Sequence, residues 1–308
     1  MRITFVKTLL KLAKQDPNIF LITGDLGFMA LEEFRDQLPK QYLNAGVSEQ
    51  NMIAMSAGLA LLGKKVYAYS IIPFVTMRPF EFIRNDVCYQ NLNVKIIGIG
   101  AGFSYSLYGS THHGIEDISI MRSLPNMTVV CPGDPLEVEK ATLASVKHTG
   151  PMYIRLGKAG EPILHKNLKN FQLGKAIEIT KGNDVSIIAT SNILGEAVKT
   201  AEILREKKIK ASVLSMHTIK PIDKQAIINS AKKTKLLITL EEHNVIGGLG
   251  SAVAEVLADN QLKIKFIRLG IPDEYPHRIG SQKFFREKYN LSAEKIVQSI
   301  VHALKIRS

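Results

Sequence analysis

The sequence predicts an α/β protein built as two doubly wound domains. Short apolar runs of strand length alternate with longer amphipathic stretches, the pattern of mainly parallel sheets covered on both faces. The alternation lapses once, into Gly, Pro, Lys and Asn without period, and then resumes to the end of the chain. These two observations set a first domain at residues 1–157, a linker at 158–175 and a smaller second domain at 176–308.

In the first domain, Thr4 to Lys14 reads as an amphipathic helix with Phe5, Leu9, Leu12 and Ala13 near one face, broken at Asp16-Pro17-Asn18. The strand Ile19 to Ile22 ends at Gly24-Asp25. A helix rich in Ala and Gly follows Glu49 and is apolar enough to be buried on all sides. Then come a strand over 66–71, a helix from Phe80 to Asn91, and a strand over 94–99 that opens into the glycine-rich loop Gly100 to Gly109. Met127 to Cys131, Pro135 to Lys147 and Met152 to Arg155 complete the domain as strand, helix and strand. The second domain repeats the scheme. Its strands are expected at 185–189, 211–215, 236–240 and 264–267, and its helices at 194–207, 223–232, 250–258 and 293–304.

Composition excludes several classes. The longest apolar stretch, Met52 to Leu62, is far short of a membrane span, and the first eight residues interleave charge with apolar side chains, so neither membrane segment nor signal peptide is predicted. Cys88 and Cys131 offer neither a disulfide framework nor a metal cluster and read as buried thiols of a reducing, cytoplasmic protein. The net charge of +12 is spread over the chain in Lys pairs without interleaved aromatics, which argues against nucleic acid. It fits an anionic substrate or an acidic partner subunit better.

Ligands of an open parallel sheet gather beyond the carboxyl ends of its strands. The exits there carry Gly24-Asp25, Glu49, Phe74 and the loop Gly100 to His113. Glu49 heads an apolar helix, where a carboxylate either complements the helix dipole or meets a specific partner. Thr111-His112-His113 follows the glycine-rich loop; adjacent histidines with no third ligand at suitable spacing make a poor metal site, so no metal site is expected in this chain. Gly247-Gly248-Leu249-Gly250 has the look of a phosphate turn but lacks the third glycine of a dinucleotide fingerprint, and is read as structural.

Gly46-Val47-Ser48-Glu49-Gln50-Asn51-Met52 resembles the glutamate motif of the transketolase family, Thr111-His112 resembles the family's Thr-His dipeptide, and Glu241-Glu242-His243 with Gly247 to Gly250 resembles the signature of its C-terminal domain. The resemblance covers nearly the whole chain and implies a pyrimidine-binding domain followed by a transketolase C-terminal domain. It implies that Glu49 bonds the aminopyrimidine N1′ of thiamine diphosphate and that His112 faces cofactor and substrate, stabilising charge or moving protons. Phe74, 25 residues after Glu49, falls where deoxyxylulose phosphate synthases stack a phenylalanine on that ring. His113, at a position often glutamine in the family, is a further substrate-binding candidate.

The departures carry information too. No Gly-Asp-Gly with a following asparagine is found, the stretch that holds Mg²⁺ and diphosphate in the family's other domain. The resemblance therefore implies one half of a split transketolase: an N-terminal subunit would hold metal and diphosphate, in an α2β2 heterotetramer that transfers a two-carbon ketol unit from a ketose to an aldose. Arg2 matches a phosphate-binding arginine, Lys158 falls near a second one, and Tyr108, Gly100 and Met29 stand where sugar- or phosphate-binding residues are expected. An unusual sugar or sugar phosphate follows as the expected substrate. The competing readings are the β subunit of a 2-oxo acid dehydrogenase and a non-catalytic paralogue acting as a regulatory subunit.

Overall fold

Short apolar strands and one-faced helices wind two sheets in the computed structural model, which describes residues 1–168 and 170–305. The strands are β1 (Ile19–Thr23), β2 (Tyr42–Asn44), β3 (Lys65–Ile71), β4 (Val94–Ile99), β5 (Thr128–Val130), β6 (Met152–Leu156), β7 (Ile177–Thr180), β8 (Val185–Ala189), β9 (Ala211–Ser215), β10 (Thr218–Lys220), β11 (Leu236–Asn244) and β12 (Lys265–Ile271). The first sheet runs β10-β5-β6-β4-β3-β1-β2 and the second β12-β11-β8-β9-β7. Every pairing is parallel except those of the edge strands β10 and β7. The expected fold class holds: α/β, with mainly parallel sheets.

The differences from the expected elements lie at edges and junctions. β2, β7 and β10 are strands of three or four residues, too short to leave a period in the sequence. β10 comes from the second half of the chain yet pairs with β5, and Lys220 at its end donates to the carbonyls of Arg122 and Leu124 at 3.0 and 2.5 Å. The helix expected from Phe80 to Asn91 is a single α-turn, Phe80–Phe82, continued as a π-helical stretch, Ile83–Tyr89. The helix Glu49–Leu61 buries one face, Glu49, Met52, Ile53, Ser56 and Ala57, and leaves Leu61 exposed on the surface of this chain. It is not enclosed on all sides. One apolar cluster joins the halves, from Met52, Ile53 and Val75 through Ile118 and Met121 to Leu249 and Val253. Cys88 and Cys131 are free and buried, and burial pushes the Cys88 thiol up to about 12. No helix among the described residues is long and apolar enough to cross a membrane.

The polar junction between the sheets is centred on Arg155 at the end of β6. Its guanidinium is fully buried; Nε donates to Asp117 Oδ2 at 2.9 Å, Nη1 to Ser191 Oγ at 3.0 Å, and Nη2 to the carbonyls of Gly114 and Glu242 at 2.6 and 3.0 Å. Tyr153 donates to the same Asp117 oxygen at 2.6 Å. β11 runs past the expected Leu240 because its polar end is satisfied inside the protein. The Glu242 carboxylate accepts from Phe103 N at 2.7 Å, Gln282 Nε2 at 2.7 Å and Arg286 Nε at 2.6 Å. His243 Nε2 accepts from Ile118 N at 3.1 Å while Nδ1 donates to the Asn244 carbonyl at 2.7 Å, a neutral tautomer that burial favours by lowering its pKa to about 4.

Between β6 and β7 the chain is pinned to the N-terminus of the helix Pro135–Lys147. Asp134 caps that helix by accepting from Glu137 N at 2.8 Å, and its other oxygen accepts from the backbone of Leu164 and His165 at 2.9 and 3.2 Å. The Glu137 carboxylate reaches back to Gly133 N at 2.6 Å and bonds His165 Nε2 at 2.7 Å.

Two outcomes are expected. Arg155→Met strands Asp117 in a dry interior and should cost roughly 3–5 kcal/mol in chemical denaturation; a loss below about 1 kcal/mol would show that Asp117 finds other partners. Burial opposes a charge on His165, but Glu137 outweighs it and holds its pKa above the ordinary 6.5, while Glu137, despite burial, is held below 4.5 by His165. The His165 contribution is complete below pH 6.5 and lost as pH rises through its raised folded value; that of Glu137 is present above pH 4.5 and lost as pH falls through its depressed one. Melting curves of wild type and His165→Gln should therefore differ most near pH 5.5 and converge above neutrality.

Candidate functional site

The carboxyl ends of β1, β2, β3, β4 and β6 deliver the residues of one cleft. β1 is followed by Gly24, which is buried close to Glu49, so that an added Cβ would lie 4.0 Å from the glutamate Cγ. β2 leads into the helix headed by Glu49, and β3 into the short helix Ile72–Thr76 that carries Phe74. β4 opens into the loop bearing Tyr105, Tyr108 and His112, and β6 ends two residues before Lys158.

Glu49 is the buried anion of the cleft, its side chain only 3% exposed. Its Oε2 accepts from Arg78 Nη1 at 2.9 Å, and no hydrogen bond from a described residue ends on Oε1. The Arg78 guanidinium also lies over the Phe74 ring, 4.4 Å from its centroid. The other neighbour of Phe74 is His112, edge-on with ring centroids 5.1 Å apart. Glu49, Arg78, Phe74 and His112 thus form one continuous series of contacts. His112 accepts or donates at Nδ1 with Thr111 Oγ1 at 3.0 Å, and partial burial together with the Arg78 charge lowers its pKa, favouring the neutral ring.

Beyond His112 a pocket of about 230 Å³ is lined by Arg2, Phe28, Tyr69, Tyr105, Tyr108 and His112 among others. Burial raises the phenol pKa of Tyr105, and the nearby Arg2 charge pulls against it. The ammonium of Lys158 sits 5.0 Å from the centroid of the same ring. Two cations therefore flank one tyrosine of the pocket lining. The second domain braces this loop: Ser106 Oγ donates to the Gly280 carbonyl at 2.6 Å, Ser110 Oγ to that of Pro276, and Asn192 Nδ2 to that of Ala101 at 3.1 Å.

Five of the six residues singled out in the sequence, Glu49, Phe74, His112, Arg2 and Lys158, lie along this cleft. His113 does not. It is buried edge-on to Phe103 and Phe285, at 5.1 and 5.5 Å, with neither ring nitrogen hydrogen-bonded among the described residues and its charge disfavoured by burial. His112 ends the 3₁₀ turn Ser110–His112 and His113 leaves it in an extended conformation, φ −75° and ψ 127°, which turns the two rings apart. Arg78 and Tyr105 were not singled out. Arg78 stands four residues after Phe74, one helical turn, and that spacing was the available signal. The glycine turn at 247–250 is closed by the protein itself: Glu241 accepts from Leu249 N and Gly250 N, both at 2.7 Å, in the place an anion would take. Among the described residues no group of three His, Cys, Asp or Glu side chains could hold a metal ion.

Fold and cleft define a two-domain α/β chain whose ligand site is built from strand ends around a buried carboxylate. Residues 1–160 match the family model for the transketolase pyrimidine-binding domain and residues 174–296 the model for the transketolase C-terminal domain. The chain belongs to the transketolase family and corresponds to that pair of domains. It is 40% identical, over 99% of its length and 96% of the relative's, to a chain provisionally named transketolase C-terminal section from Methanocaldococcus jannaschii. It is 38% identical to one of the subunits of the apulose-4-phosphate transketolase of Phocaeicola vulgatus, over 99% of this chain and 97% of that one. A solved structure described as a split-gene transketolase, inactive β4 tetramer, superposes with a TM-score of 0.91 at 35% identity, covering 100% of this chain and 99% of that one.

Proposed function

We propose that this chain is the C-terminal subunit of a thiamine-diphosphate-dependent transketolase-like enzyme, acting in the cytoplasm, whose active site is completed by a separate N-terminal subunit. The observation that carries the reading is the buried Glu49 carboxylate, with one oxygen free of hydrogen bonds among the described residues and the other linked through Arg78 to the Phe74 ring. A carboxylate acceptor next to an aromatic face suits a flat, nitrogen-bearing aminopyrimidine, and this is the end of the cofactor these residues would hold. Mg²⁺ and diphosphate would fall to the partner. A full-length relative that is itself named as a transketolase subunit, and one described as inactive as a β4 tetramer, support a divided site and an α2β2 assembly.

Thiamine diphosphate, when bound, supplies the electron sink that carries a two-carbon unit between a ketose and an aldose. Glu49 would fix the protonation of the ring from a site where burial strengthens its hydrogen bond. His112, neutral and within reach of the pocket, would take or give the proton on a substrate hydroxyl. Arg2 and Lys158 would orient an anionic sugar, and Tyr105 and Tyr108 would present phenols and ring faces where standard transketolases are expected to read hydroxyls. The relatives that act on apulose 4-phosphate and, in Clostridium sp. (strain MSTE9), on 6-deoxy-6-sulfo-D-fructose support an unusual anionic sugar. His113 has no part in this site.

Calorimetric titration of thiamine diphosphate and Mg²⁺ is expected to saturate only when the chain is mixed with its N-terminal partner; tight binding to this chain alone would contradict the divided site. In the reconstituted pair, Glu49→Gln should lower kcat by ~100-fold or more while leaving the melting curve of the chain intact; near-normal turnover would remove Glu49 from the mechanism. Arg2→Met or Lys158→Met should raise KM for an anionic sugar about tenfold with a smaller effect on kcat, the signature of lost ground-state binding; unchanged KM would place the anion elsewhere.

A further inference from the structure

Arg78 makes two contacts at once, and both are with groups assigned above to the cofactor ring. Its Nη1 donates to Glu49 Oε2 at 2.9 Å, and its guanidinium covers Phe74 at 4.4 Å from the centroid. A guanidinium and an aminopyrimidine share the relevant chemistry: a planar, delocalised system with N–H groups along one edge and a face that stacks. The partners differ in how firmly they are held. Glu49 is fixed in the first turn of a long helix with its side chain 3% exposed, whereas the Arg78 side chain is 47% exposed and lies just beyond the end of the helix Ile72–Thr76. Among the described residues Arg78 makes no other ion pair and no other hydrogen bond. A carboxylate this buried needs a counter-charge until something else supplies one. The half-exposed cation therefore serves the fixed anion.

We propose that Arg78 is a placeholder: in the cofactor-free chain its guanidinium occupies the Glu49 carboxylate and the face of Phe74, and it gives up both when the aminopyrimidine ring arrives. This rests on the proposed function, since it takes Glu49 and Phe74 as the ring's partners. The placeholder keeps a charged, half-formed site from collapsing or pairing wrongly before the partner subunit closes it. It also sets an energetic toll on binding, because the ion pair must break first. Release removes a positive charge from beside His112, whose protonation the guanidinium disfavours.

The test uses the whole chain as wild type, Arg78→Met and Arg78→Lys. Without cofactor, Arg78→Met should melt at lower temperature than wild type, because Glu49 loses its partner; an unchanged melting temperature would mean that the pair does not form in solution. With the N-terminal subunit present, calorimetric titration of thiamine diphosphate and Mg²⁺ should give a dissociation constant about fivefold or more below wild type for Arg78→Met. Arg78→Lys, which keeps the charge without the plane, should fall between the two and carries the comparison if the methionine variant does not fold. Equal or weaker binding by the variants, with wild type binding normally, would overturn the placeholder and make Arg78 a spectator or a direct ligand. Absence of binding by the wild-type pair would instead overturn the functional reading, and the placeholder with it.

Discussion

A single buried guanidinium, that of Arg155, governs how the two sheets face each other. Burial works against its charge, yet the Asp117 carboxylate 2.9 Å away holds the pKa above the ordinary arginine range. The cost of drying both ions is tolerable only because the remaining N–H groups also find acceptors, two of them, Ser191 and Glu242, in the second half of the chain. The same guanidinium bonds the Gly114 carbonyl, which ends the loop carrying Tyr105, Tyr108 and His112. The position of the candidate catalytic histidine is thus set from behind by a junction that contains no candidate catalytic residue. This gives the second domain a physical task. It contributes none of the cleft residues singled out, but it holds the loop that does, through Ser106, Ser110 and Asn192 as well.

The junction and the cleft are finished to different degrees. At the junction, charged groups such as Glu242 have their hydrogen bonds made within the chain. At the cleft, large apolar side chains stand in water: Phe28 and Tyr108, which line its pocket, are exposed, as are their chain neighbours Met29 and Leu107 and, two residues before Glu49, Val47. Asp25 and Met29 beside the cleft adopt left-handed φ values of 57° and 60°, which non-glycine residues seldom accept. A cluster of exposed apolar groups beside a buried charge is unfavourable for a finished monomer and natural for a surface that another chain covers. The half-open helix Glu49–Leu61 belongs to the same face.

Much of this was legible in the sequence, and the limits have physical causes. The strands β4, β6, β8 and β9 are buried along their whole length and mainly apolar, so their runs stand out; the edge strands β2, β7 and β10 are too short to leave such a trace. β11 was expected to stop at Leu240, where its apolar run ends, whereas the strand continues because Glu241, Glu242 and His243 are each bonded within the chain. Within the cleft, motifs pointed to Glu49, His112 and Phe74. The motif favoured His112 over His113, but only folding shows that His113 turns into the interior against Phe103 and Phe285. Arg78 escaped notice because its significance lies in two contacts that exist only after folding.

Glu241 and Glu49 show why saturation, more than motif, separates a structural carboxylate from a functional one. Both stand at the N-terminal end of a helix in an apolar setting, and either could be taken for an anion complementing a dipole. Glu241 spends both oxygens on backbone N–H groups of the turn that resembles a phosphate cradle, so that turn has no capacity left for a ligand. Burial raises its pKa to about 7 while those bonds pull it down, the balance of a group whose purpose is to close the structure. Glu49 instead leaves one oxygen open among the described residues and gives the other to a half-exposed arginine. A buried acceptor with unused capacity is costly to keep in a fold unless something outside the fold completes it, and that asymmetry is what directs the functional reading to the glutamate at residue 49.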